Sequence, residues 1–206
     1  MIPPAQNAAF VANMEDILEV YRRPYDPKRP VVYLDEQPVQ LVKETRQPLP
    51  AEPGQPARYD DECQRAGTAV NFTLTEPLGG RRKVSVRATK TALDLAEEVK
   101  TLLDIDYADA DQVVLVWDNL NTPSPRPTRL LVQSAFLSQE ARRLLDRLEV
   151  HYTPKHGSWL DIAEIELSVC TKQCLNRRIP DLETLRREAA ARQPLGPSGA
   201  MPIKLE

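Results

Sequence analysis

Val113-Val114-Leu115-Val116-Trp117-Asp118 is the stretch on which the reading of this chain turns. Five apolar residues run without alternation and end on a carboxylate. An uninterrupted apolar run is how a central strand buried on both faces reads. Val31-Val32-Tyr33-Leu34-Asp35-Glu36 has the same form, an apolar run that closes on acidic residues. A strand of this kind delivers its terminal carboxylate to the end of a sheet. Further along, Trp159 to Ser168 is helix-like and carries Glu164 and Glu166. Two strands and one helix can therefore bring three oxygen ligands together. Hard divalent cations such as magnesium bind carboxylate oxygens, and such a set suits phosphoryl transfer assisted by two metal ions.

The rest of the chain sets bounds on that reading. Its 206 residues fit one domain with extensions, and 41% apolar content supports a core built mainly from aliphatic side chains. The net charge of −3 argues against a chain that binds nucleic acid through bulk positive charge. Basic pairs do occur, at Arg81-Arg82-Lys83, Arg142-Arg143 and Arg177-Arg178, and solvated faces account for most such pairs. Three cysteines, Cys63, Cys170 and Cys174, do not make a disulfide framework. Cys170 and Cys174 are expected to pack in the core. No stretch has the length of a membrane span, and the N-terminus lacks the features of a signal peptide, so a cytoplasmic location is expected.

Around the two acidic strands the chain divides into elements. Apolar spacing predicts a helix over 8–22, with prolines 24, 27 and 30 leading into a first strand at 31–37. Residues 44–66 read as a long loop, and 67–76 and 82–89 as a hairpin turned at Gly79-Gly80. A helix over 91–104 starts with the capping pair Thr91 and Asp94. The strand at 112–118 follows. Prolines 123, 125 and 127 predict irregular structure over 120–135. Ser138 is expected to cap a helix to about 148, ahead of a strand at 148–153. Ser158 and Asp161 open a helix running to Arg177, and Asp181 caps another over 180–191. The Pro- and Gly-containing tail from 192 to 206 is expected to be disordered. A hairpin followed by helix-linked strands implies a mixed five-stranded sheet flanked by helices, with the first and fourth strands side by side.

Three local words then carry a resemblance: Leu34-Asp35-Glu36-Gln37-Pro38, Trp117-Asp118-Asn119-Leu120-Asn121-Thr122, and Tyr152 to Leu160 leading into Ala163-Glu164-Ile165-Glu166. Together and in this order they resemble the DDE transposases, in the mariner-related branch of bacterial insertion sequences. The resemblance covers roughly 1–190 and implies a ribonuclease H-like α/β fold, with the catalytic domain at 31–191 after an N-terminal helix and linker at 1–30. It selects Asp35, Asp118 and Glu164 as catalytic, metal-binding residues. Glu166 lies about 200° around the helix from Glu164, and Glu36 faces the other side of its strand from Asp35. The implied chemistry is DNA cleavage followed by strand transfer, with two magnesium ions that manganese can replace. Asp35 would bridge both ions, while Asp118 and Glu164 would each hold mainly one. Asn119, Lys155 and His156 are candidate DNA contacts. The implied partners are transposon ends and target DNA, with pairing into a homodimer left open, at the bacterial nucleoid.

Two residues depart from the pattern. Pro123 stands where the family commonly has His, and Asp161 where it commonly has Asn, three residues before Glu164 on the same helix face. An extra negative charge at 161 is expected to raise neighbouring carboxylate pKa values or to draw a metal out of position. The family's N-terminal helix-turn-helix is also expected to be missing. A fragment or decayed copy, catalytically inactive and serving as an interaction module, is therefore the competing reading. A nuclease for RNA–DNA hybrids ranks third.

Overall fold

The computed structural model describes residues 8–118, 128–154, 157 and 160–192. Its elements in chain order are α1 (Ala8–Tyr21), β1 (Val31–Glu44), β2 (Cys63–Glu76), β3 (Arg81–Arg87), α2 (Ala92–Thr101), β4 (Val113–Trp117), α3 (Thr128–Ala135), α4 (Ser138–Asp146), β5 (Leu148–Tyr152), α5 (Ala163–Cys170) and α6 (Leu182–Arg192). Helices α2 and α5 each run on into a π-helical turn, Leu102–Asp106 and Thr171–Leu175.

The five strands form one sheet in the order β3-β2-β1-β4-β5. β1 to β3 are antiparallel neighbours, whereas β4 runs parallel to both β1 and β5. The expected mixed sheet is therefore present, with β1 beside β4. All five residues of β4 are buried, as its unbroken apolar run requires.

Alternation along the strands sorts the core into two layers. Val32, Leu34, Val113, Leu115 and Trp117 point to one face, where they pack with Leu95 and Val99 of α2, Leu131 and Val132 of α3, and Leu144 of α4. Tyr33, Val114 and Val116 point to the other and pack with Ile17 and Val20 of α1 and with Leu160 and Ala163 at the start of α5. A third cluster, Leu41, Ala69, Ile179 and Leu185, seats α6 over the far end of β1 and β2.

Several boundaries differ from the sequence reading. β1 spans 14 residues and carries Pro38 in its interior, paired with Val70. The proline is tolerated because β4 pairs with β1 only as far as Leu34, so this half of β1 has a ladder on one side alone. Beyond it the register shifts between Gln40 and Val42, where Gly67 on the partner strand has φ +106°, a conformation open to glycine. The Val42 N–H then donates to Ile179 O at 2.8 Å, which covers the open edge. β2 begins at Cys63, inside the stretch read as loop.

The segment read as irregular over 120–135 contains α3. The prolines end at 127 and the helix starts at Thr128. A proline excludes the interior of a helix but not a helix that begins just after it. The Thr128 N–H donates to the Tyr152 hydroxyl at 2.6 Å, which ties α3 to the end of β5. Ser138 is the first residue of α4 and not its cap; Leu137 holds the cap position without a side-chain bond. The Thr91–Asp94 capping box forms as read, and Asp181 Oδ1 accepts from the Thr184 N–H at 2.7 Å. Cys170 is buried as expected. The 193–206 tail lies outside the described residues.

Candidate active site

The parallel pairing of β1 with β4 ends on Leu34 opposite Trp117. Asp35 and Asp118 are the next residues, so they stand side by side where this parallel pairing stops, Asp35 within β1, which runs on to Glu44, and Asp118 just past the carboxyl end of β4. In open α/β sheets this is the end at which ligands bind. Asp35 shares a face with Tyr33, and Asp118 with Val116, so both project toward the layer of α1 and α5. They are 6% and 5% exposed, which is deep for carboxylates that carry charge. One oxygen of each is held in place. The Glu36 N–H donates to Asp35 Oδ1 at 2.7 Å, and the Thr153 hydroxyl donates to Asp118 Oδ1 at 2.8 Å. Thr153 itself follows β5, with its N–H on Trp117 O at 3.0 Å.

Helix α5 contributes from the same side. Glu164 is its second residue, exposed, with its N–H on Asp161 O at 3.2 Å. Glu166 turns away and pairs with Arg82 of β3 at 3.4 Å. Asp161 is 2% exposed; its Oδ1 accepts from the Ala163 N–H at 2.8 Å, while Oδ2 is buried with no hydrogen-bond partner. Burial pushes the Asp35 carboxyl up to about 6; the Glu36 N–H opposes this, and the charges of Asp118 and Glu164 add to it. Asp161 is driven well above the usual carboxylate range, first by burial and then by Asp35, Asp118 and Glu164. Four carboxyl groups from three separate parts of the chain thus act on one another across a small region. Crowded acids with little compensating positive charge form a hard-oxygen donor set that suits a divalent cation.

The chain matches the model of the DDE superfamily endonucleases over residues 30–186. It belongs to that family. No curated protein matches it. Among solved structures it is similar to the Mos1 mariner transposase in its paired-end complex with Mn, at 18% identity and a TM-score of 0.56, covering 94% of this chain and 58% of that one. Similarity to the Mos1 paired-end complex with the left transposon end is 15% with a TM-score of 0.59, over 95% of this chain and 58% of that one. The Mos1 strand transfer complex gives 18% and 0.57, over 94% and 57%. These likenesses show the ribonuclease H-like fold. The chain spans under three fifths of the Mos1 chains it matches.

Of the acidic residues that the DDE resemblance selected, Asp35 and Asp118 are neighbours, and Glu164 lies within electrostatic reach of Asp35 from the facing helix. Among the described residues, however, no three His, Cys, Asp or Glu side chains stand close enough to hold one ion. Glu164 is exposed, whereas Asp35 and Asp118 are buried. Asn119, Lys155, His156 and Pro123 lie outside the described residues.

Two partners of the site were not read from the sequence. Glu36 points to the opposite face, toward α2. Its side chain is fully buried, with Lys90 Nζ at 3.2 Å from Oε1, and burial raises its pKa to about 7 against the pull of Lys90. Thr153 was read only as a strand end. The pairing of Trp117 with Tyr152 puts Thr153 level with Asp118, a relation that needs the register and not only the strand.

Proposed function

We propose that this chain is the catalytic part of a transposase of the mariner-related insertion-sequence type, with residues 31–191 as its catalytic domain, acting on DNA at the nucleoid. The carrying observation is the pair Asp35 and Asp118 side by side where the parallel pairing of β1 with β4 stops, facing the helix that bears Glu164. Asp35, Asp118 and Glu164 would hold divalent ions, two of them in this reading. Bound magnesium or manganese supplies Lewis acidity to activate a water or 3′-hydroxyl nucleophile and to stabilise the leaving 3′ oxygen. The chain's own part is to hold and orient. The Glu36 N–H and the Thr153 hydroxyl each pin one carboxylate oxygen, which leaves the aspartates little freedom to rotate. The fold buries both aspartates, so charge–charge effects there are stronger than in water. Asn119, Lys155 and His156 flank the acidic residues in sequence and are assigned to DNA phosphates. Support for DNA ends as substrate comes from the likeness to Mos1 paired-end complexes, one of them with the left transposon end.

The raised pKa of Asp161 bears on the family's Asn at that place. Burial and the neighbouring carboxylates push the Asp161 carboxyl toward its neutral form, which is polar as an amide is, so the charge added by the departure is opposed by its surroundings.

The test is nicking of supercoiled plasmid DNA by the folded chain with manganese or magnesium. Nicking is expected, and Asp35→Asn, Asp118→Asn and Glu164→Gln should each reduce it to background. A second reading, an inactive relative with the same fold, is favoured by the exposed Glu164 and the lack of a three-acid cluster among the described residues. A cooperatively melting sample that neither nicks DNA nor takes up manganese in titration calorimetry would establish it.

A further inference from the structure

The helix carrying Glu164 begins without a cap of its own. Ile162 holds the cap position and its side chain offers no acceptor. The first N–H groups of any helix need partners, and a start left without them frays. Asp161 supplies one, taking the Ala163 N–H at 2.8 Å. Backbone carbonyls take the next two, Asp161 O from the Glu164 N–H at 3.2 Å and Ile162 O from the Ile165 N–H at 3.1 Å, so the helix start hangs on the placement of residues 160–162. The hydroxyl of Tyr21, at the end of α1, donates to the Leu160 carbonyl from a different part of the chain. The phenol therefore holds the backbone of the residue just before Asp161.

Tyr21 is in turn fixed. Its ring stacks on Tyr33, with centroids 5.6 Å apart and planes at 17°. Tyr33 lies two residues before Asp35 on the same face of β1. α1 is also held along the sheet. Arg23 and Arg29, just beyond it, each bind Glu149 of β5 at 2.7 Å. His151 Nδ1 lies 2.7 Å from Asp16 Oδ2. A short rigid path thus runs from Asp35 through Tyr33 and Tyr21 to the turn before Glu164.

We propose that Tyr21 is a positioning residue: its hydroxyl sets the first turn of α5 and so the placement of Glu164 relative to Asp35. The consequence for catalysis rests on the reading of Asp35 and Glu164 as metal ligands; the consequence for α5 does not. Tyr21→Phe keeps the stacked ring and removes only the hydroxyl, so it isolates the grip from the packing.

Hydrogen–deuterium exchange on the full chain without metal is the first measurement. In Tyr21→Phe, amides of residues 160–170 are expected to exchange about tenfold faster, with residues 113–117 of β4 unchanged. Equal exchange in variant and wild type at 160–170, or equal acceleration in both segments, would overturn the proposal. The second measurement is the manganese concentration for half-maximal nicking. It is expected to rise severalfold in Tyr21→Phe and to stay put in a control such as Leu137→Ala, remote on α4. A locally loosened α5 with an unchanged manganese requirement would overturn the link to Glu164. A wild type that neither nicks nor binds manganese would defeat the transposase reading, and the exchange result would still decide the grip itself.

Discussion

Asp35 and Glu36 are consecutive, yet the strand sends them to opposite faces, and each is buried with a carboxyl group that prefers its proton. Their pKa values of about 6 and about 7 exceed the ordinary 3.8 and 4.5, with burial the main cause in both. An acid with a raised folded-state pKa stabilises the fold below its ordinary pKa, and that contribution is lost as pH rises through the folded value. Without metal, Asp35 should therefore cost the protein stability between about pH 4 and pH 7. Asp35→Asn is expected to remove that cost, on the order of 3 kcal/mol at pH 7 and close to nothing at pH 4. Urea melts of both proteins at the two pH values check this, and equal differences at both would contradict it. Asp161 follows the same sign, since its carboxyl is also pushed upward. Asp161→Asn should gain stability over the metal-free wild type as pH rises above the ordinary carboxylate range, with manganese uptake retained. Calorimetric titration showing lost manganese binding in Asp161→Asn would make Asp161 a ligand in its own right.

Among the elements, α1 has the largest role that its sequence did not announce. Its apolar spacing marked it as a helix, and nothing in that spacing said what it would cover. Ile17 is fully buried and Val20 is 1% exposed, against Tyr33, Val114, Val116 and Ala163. Truncating Ile17 leaves a cavity between α1, the sheet and the start of α5. Ile17→Ala should cost about 2–5 kcal/mol in urea-induced unfolding. A loss under about 1 kcal/mol would mean that α1 is only loosely seated. Helix α3 carries the opposite lesson. Proline content predicted irregularity over the whole of 120–135, but a proline's effect is local, and Leu131 and Val132 had enough apolar surface to fold the next eight residues against the sheet.

At the scale of the molecule, the site joins β1, β4 and α5, whose carboxylates are far apart along the chain and repel one another without a cation. A metal that binds only the folded state stabilises it by mass action, about 2.7 kcal/mol at a hundredfold excess over Kd. Manganese should raise the melting temperature of the wild type, and this rise should vanish in Asp35→Asn and Asp118→Asn. A rise that persists in both variants would place the ions elsewhere. In a chain of net charge −3, a general salt effect is separated from site binding by repeating the melt with sodium at matched ionic strength.

The apolar runs of β1 and β4 and the acidic residue that follows each were legible in the sequence, because burial on both faces forces an unbroken apolar run; that β1 continues past Asp35 to Glu44 was not. The capping box at Thr91 and the cap at Asp181 were legible for a similar reason: both are local bonds, made within a few residues. What needed the tertiary structure was everything decided by distant partners. Only the register of β1 against β4 makes Asp35 and Asp118 neighbours, and only that of β4 against β5 brings Thr153 level with Asp118. The burial that shifts Asp161, the ion pair of Glu36 with Lys90 and the grip of Tyr21 on the start of α5 each join residues whose meeting depends on how whole layers pack. Local patterns record which face of an element must be dry; they carry no information on which other element will dry it.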